Sequence, residues 1–138
     1  MNPDQIYQQQ QDASMTRIDL LLALYEKAIC HLNQAQQALE QQDRAAATPL
    51  LIQAQLIVHA LVMGVDLQYG ELPQNMLRLY EFVLHCLSCN EAGKIADALR
   101  ILTILHEGLV EIQPKARNLE LGGKIPSMKA VPALRISI

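Results

Sequence analysis

The sequence predicts an all-α protein: an antiparallel up-down four-helix bundle with a polar N-terminal arm and an irregular C-terminal tail. Three observations lead there. Apolar residues recur at steps of three and four along most of the chain, the period of a helix with one face in a core. Most of the glycines and prolines lie at or beyond Gly93, so the first ninety residues hold few breakers. The links between periodic segments are short, which makes consecutive helices antiparallel neighbours. With 138 residues, 51% of them hydrophobic, the chain suits one domain with a real core. It has one Phe and no Trp, so that core falls to Leu, Ile, Val, Ala and Met. The predicted organisation is an arm over 1–13, the bundle over 14–112 and a basic tail containing Pro and Gly over 113–138.

Each element follows from local signals. The arm is rich in Gln, with Ile6 and Tyr7 as its sizeable apolar groups. A first helix is predicted from about Arg17 to Gln41. Thr16 and Asp19 have the spacing of a capping box, and Leu21, Leu24, Ala28, Leu32, Ala35 and Leu39 form the stripe. A second helix starts at Asp43, a good N-cap residue, and ends near Gly64; the alternative is a start at Thr48 as cap, with Pro49 in the first turn. Pro49 inside the longer helix removes one backbone bond and predicts a bend. Its stripe is Leu50, Ala54, Ile57 and Leu61. A loop over 65–72 leads to a third helix from Leu72 and Pro73 to about Asn90, with Met76, Tyr80, Val83 and Leu87 inward. A fourth helix is predicted from about Lys94 to Ile112, with Ile95, Leu99, Leu102, Leu105 and Leu109 inward and Pro114 as its stop.

Charge narrows the function classes. Residues 1–112 carry a net −7 and residues 113–138 a net +4. Nucleic-acid binding needs a basic face, which an acidic body lacks. The unbroken apolar runs are a few residues long, against the roughly 20 needed to span a bilayer, so no membrane insertion is expected. Three cysteines without a charged-then-apolar leader point to a reducing, cytoplasmic setting.

Catalytic signatures are sparse. The sequence has no Gly-rich phosphate loop, no metalloprotease helix motif and no Ser-centred elbow. Cys86 and Cys89 form a C-x-x-C that could hold metal or cycle as a redox pair. A structural zinc site would need a second such pair, and a thioredoxin-like site a βαβ setting. His59 could relay a phosphoryl group from a helical bundle, but Val62 and Met63 stand where such domains place Lys and Gly. No enzyme, cofactor or metal is therefore predicted.

Apolar residues exceed what a core needs. A bundle helix uses roughly three apolar positions in seven. The second helix adds Leu51, Ile52, Leu56, Val62 and Met63 to its stripe; the third adds Leu79, Phe82 and Cys86; the fourth adds Ile101 and Ile104. A second apolar face implies a partner helix, a docked arm or tail, or self-association. Ile52, Leu56, Met63, Leu79, Phe82 and Cys86 are the predicted lining of a binding groove.

With the helices placed, the chain resembles the flagellin export chaperones, the FliS family. Leu22-Ala23-Leu24-Tyr25-Glu26-Lys27-Ala28-Ile29 is similar to that family's L-x-L-Y-[DE]-x-A-I. Gly70-Glu71-Leu72-Pro73-Gln74-Asn75-Met76-Leu77-Arg78-Leu79-Tyr80 is similar to its G-E-I-A-x-N-L-x-x-L-Y. Tyr7 stands ahead of the first helix as the family's N-terminal Tyr does. The likeness covers about residues 6–112. Near the end of the fourth helix, His106, Gly108 and Leu109 replace the Arg, Ala and Trp often found there. The resemblance implies a cytoplasmic chaperone that holds the disordered C-terminal segment of flagellin, prevents premature polymerisation and assists export. It implies that Ile6 and Tyr7 act as an N-terminal latch over the groove. An export-gate component or a co-chaperone are further partners. The alternative is a self-associating helical scaffold or adaptor, a homodimer included, with no flagellin client.

Overall fold

The computed structural model describes residues 15–65 and 71–123 and consists there of four helices. They are α1 (Arg17–Glu40), α2 (Arg44–Met63), α3 (Glu71–Ser88) and α4 (Ala92–Leu121). The arm with Ile6 and Tyr7, the middle of the link between α2 and α3, and the last fifteen residues of the tail lie outside the described residues. α1 makes the most extensive interfaces, with α2 and α4, and α3 closes the ring against both of those. Cross-contacts between α1 and α4 run in opposite directions. Arg17 meets Glu120, Asp19 meets Gln113 and Glu26 meets His106. The predicted antiparallel four-helix bundle is the observed architecture.

Small residues let the helices approach closely. Ala28 and Ala35 of α1, Ala47 and Ala54 of α2 and Ala98 of α4 are fully buried, alongside Leu24, Leu32, Ile57, Leu61, Ile95 and Leu102. Each fully buried large aliphatic contributes about 1.5–3 kcal/mol relative to leaving it exposed. The predicted stripes differ in detail: on α1 Leu22 is buried while Leu21 and Leu39 are half-buried, and on α3 Met76 is half-buried. On α2 it is Leu51, not Leu50, that is buried, because Ala47, Leu51, Ala54, Val58 and Leu61 centre the inner face. On α4, Ile95, Ala98 and Leu102 are buried, and Leu99, Leu105 and Leu109 pack half-buried around the core.

The turn between α1 and α2 is formed by polar residues with dual duties. Asp43 N–H donates to the Ala38 carbonyl (2.8 Å) and Gln42 N–H to the Leu39 carbonyl (3.0 Å), a Schellman ending of α1. Gln42 occupies the left-handed position with φ 59°. The Asp43 carboxylate then accepts from the Ala46 N–H (3.1 Å), capping α2. Pro49 lies within α2 as predicted. It is exposed, as is Ala45, whose carbonyl loses its partner, so water can take the bond.

The predicted stop at Pro114 is corrected: α4 continues through it to Leu121. Pro114 is again on the wet side, and Val110, whose carbonyl is freed, is exposed. What holds the extra turns is a polar seam against the start of α1. The buried Glu120 carboxylate accepts from the Arg17 backbone N–H (3.2 Å to each oxygen), a carboxylate at a helix N-terminus. Gln113 donates to Asp19 (2.9 Å), Arg117 forms an ion pair with Asp19, and Asp19 accepts from the Thr16 N–H (3.1 Å) as in the expected capping box. Residues 113–121, read as the start of an irregular tail, are therefore helical.

Candidate functional site

α2 shows most plainly that the bundle has apolar surface to spare. Its inner face is spent on the core. On the opposite side, Ile52, Leu56 and Met63 are 50%, 50% and 65% exposed. Offsets of four and eleven residues put them in one row along the helix. Exposed Ala45, Pro49 and His59 lie in the same row. Arg44 is the sole formally charged residue of α2. The helix is thus apolar nearly all round, as a helix covered on both sides would be. An eighteen-residue stretch of it has a mean hydropathy of 1.6, so the helix is also long and apolar enough to cross a membrane. The sequence did not suggest this, because polar Gln53, Gln55 and His59 interrupt the apolar runs. Its inner face is instead built into the bundle core.

On α3 the predicted groove residues divide. Phe82 is 44% exposed and Leu79 is half-buried. Cys86 is a correction: it is fully buried within the core beside Val83 and Leu87, and cannot line an open groove. A helix carries neighbours at three and four residues on one face, and Cys86 is three from Val83, so it falls inside the core stripe rather than beside it. Burial, as the leading cause, pushes its thiol up from the ordinary cysteine range. Cys89 is half-buried with its sulfur 3.4 Å from the His85 carbonyl. The two C-x-x-C sulfurs therefore sit in different environments.

α4 adds further exposed apolar residues, one of them beyond the predicted stop. Ile104, Val110, Ile112 and Leu121 are all exposed. Only Ile104 was noted as surplus from the sequence. Along the seam of α1 and α4 lies a shallow groove of about 490 Å³ lined by Glu26, Ile29, Cys30, Asn33, Thr103 and His106. His106 bridges to Glu26 across it at 3.2 Å. Among the described residues no cluster of three or more His, Cys, Asp or Glu could hold a metal ion. No basic residue accompanies His59 on the α2 row, as a phosphoryl-relay site would require.

At the centre of the molecule, Tyr25 of α1 and Tyr80 of α3 meet diagonally across the bundle. Their hydroxyls are 2.5 Å apart and their rings pack tilted at 6.3 Å between centroids. Both are buried, and burial raises both phenol pKa values. The hydrogen bond satisfies two polar groups that would otherwise be orphaned in the core. It also joins the two segments singled out in the sequence, since each supplies one tyrosine.

Both segments lie within the range matched by a family of known proteins. The family model described as Flagellar protein FliS matches residues 1–116. No curated protein matches the chain.

Proposed function

Because the chain belongs to the FliS family, the flagellar export chaperones, we propose that it binds the disordered C-terminal region of flagellin in the cytoplasm, prevents premature polymerisation and assists export. The observation that carries this proposal is the exposed row Ile52, Leu56 and Met63 on the side of α2 opposite the core. Phe82 and half-buried Leu79 extend the proposed client surface on α3. A disordered segment can lay an amphipathic helix on such a row, and burial of its apolar face offsets the entropy of ordering. The role is binding rather than catalysis. An export-gate component or co-chaperone would read the loaded complex.

Mixing the protein with a flagellin C-terminal peptide should raise the helical circular-dichroism signal above the sum of the parts. No added helix together with no heat of binding would refute flagellin as client. A self-associating scaffold using the same row would instead show concentration-dependent dimers and no peptide complex.

The N-terminal latch through Ile6 and Tyr7 is part of the same proposal. Removing residues 1–12 should raise client affinity or speed association, because an intramolecular competitor is gone. Two side chains limit the effect to about 1–3 kcal/mol. Weaker binding after truncation would make the arm a clamp, and unchanged binding would make it a bystander.

A further inference from the structure

The family match stops at residue 116, and the outer face of α4 leaves a second surface without a partner among the described residues. Ile104 and Ile112 are 60% and 53% exposed. They stand four residues on either side of Gly108, so the three share one face of the helix. Among the described residues, a Cβ added at Gly108 would meet nothing within 4 Å. No contact inside the bundle requires a glycine there, although glycine weakens a helix interior. The result is an open notch between two isoleucines. Glu107 and Glu111 border it; both are exposed, and neither has an ion-pair partner among the described residues. Between Arg100 and Lys115, α4 carries these two acids and no Lys or Arg.

We propose that the chain's own residues 124–138 fill this notch by running back along α4. Their chemistry is complementary to it. They contain Lys124, Lys129 and Arg135 and no acid, with Ile125, Met128, Val131, Leu134, Ile136 and Ile138 between. The point of departure is also right. Gly123 has φ +75°, a left-handed turn that ends α4 and lets the chain reverse. Ile112 and Ile104 lie about 16 Å and about 28 Å back along the helix axis from Gly123. An extended strand covers these distances in about five and about nine residues. After a short turn, Val131 and Leu134 reach the notch, and Lys129 and Arg135 bracket Glu107 and Glu111. Proximity of the tether makes even weak contacts effective.

The test is hydrogen–deuterium exchange on the full-length protein and surface variants. In the native chain, amides of 127–136 should exchange about tenfold slower than in the same segment as a free peptide. Glu107→Lys with Glu111→Lys should abolish that protection, as should Lys129→Glu with Arg135→Glu. The four changes combined should restore it, which a general loss of structure would not do. Gly108→Leu should fill the notch and release the segment while leaving the melting temperature unchanged or higher. Exchange at the free-peptide rate in the native protein would overturn the proposal. So would protection that survives both Gly108→Leu and the Glu107/Glu111 reversal, which would place the segment elsewhere. Protection that grows with protein concentration would assign the notch to a second copy and would overturn it as well.

Discussion

Tyr25 and Tyr80 show how one pair of residues can tie two distant segments of the chain into the core. Each hydroxyl has the other as its buried partner. Replacing one tyrosine by Phe leaves the other hydroxyl unpaired and should cost about 1–3 kcal/mol, whereas the double Phe variant should lose much less than the sum. Chemical denaturation of the two single variants and the double variant checks this. The pair also makes an alkaline prediction. Both folded-state pKa values are raised by burial, so this contribution to stability is fully present below the unfolded value near 10 and is lost as pH rises above it. The melting temperature should therefore fall above about pH 10 less steeply in the double Phe variant than in the native chain. Equal slopes would show that the phenols ionise in place. The two tyrosines were legible in the sequence as motif residues, but that they meet was not, because a diagonal contact across a bundle leaves no mark in helical period. Cys86 teaches a related lesson. Its position three residues from Val83 allowed a core placement, and only the packing of α3 settled which side of the stripe is inside.

At the scale of elements, helix starts and the first three helices were legible because caps and stripes are local. Asp43 as an N-cap and Pro49 inside a continuous helix are both observed. The end of α4 was not legible. A proline is a stop by local chemistry, but Pro114 sits on the solvent side and the turns beyond it are held by Glu120, Gln113 and Arg117 across more than ninety residues of sequence. The same cause hid Leu121 as exposed apolar surface. Glu120→Ala should remove the acceptor at the start of α1, cost about 1–2 kcal/mol and speed amide exchange over 114–121. Unchanged exchange there would mean that Glu120 does not hold these turns. In the α1–α2 turn, Gln42 occupies a left-handed conformation that glycine adopts at no steric cost. Gln42→Gly should accordingly raise stability by about 1 kcal/mol, read as a higher denaturant midpoint with unchanged slope.

For the whole molecule, the excess of apolar residues in the sequence appears in the structure as two separate outer faces, one on α2 and one on α4. Composition showed that a surplus existed; it could not divide it, since stripe and surplus differ by a rotation about each helix. The α2 face carries the proposed client interaction, and the contrast between Leu56 and Leu61 isolates it. Leu61 is 2% exposed and belongs to the core, whereas Leu56 is half exposed on the opposite side of the same helix. Leu61→Asp should unfold the protein or lower its melting temperature sharply, as an unpaired charge in the core demands. Leu56→Asp and Phe82→Asp should leave the melting temperature nearly unchanged, yet a charge at either position would be trapped unpaired beneath a bound client. Calorimetric titration of a flagellin C-terminal peptide into the native chain and into Leu56→Asp is the most direct measurement. Binding by the native chain, weakened at least about tenfold by the substitution at equal thermal stability, is the predicted result. Equal affinity of the two proteins, or no binding by either, would contradict it.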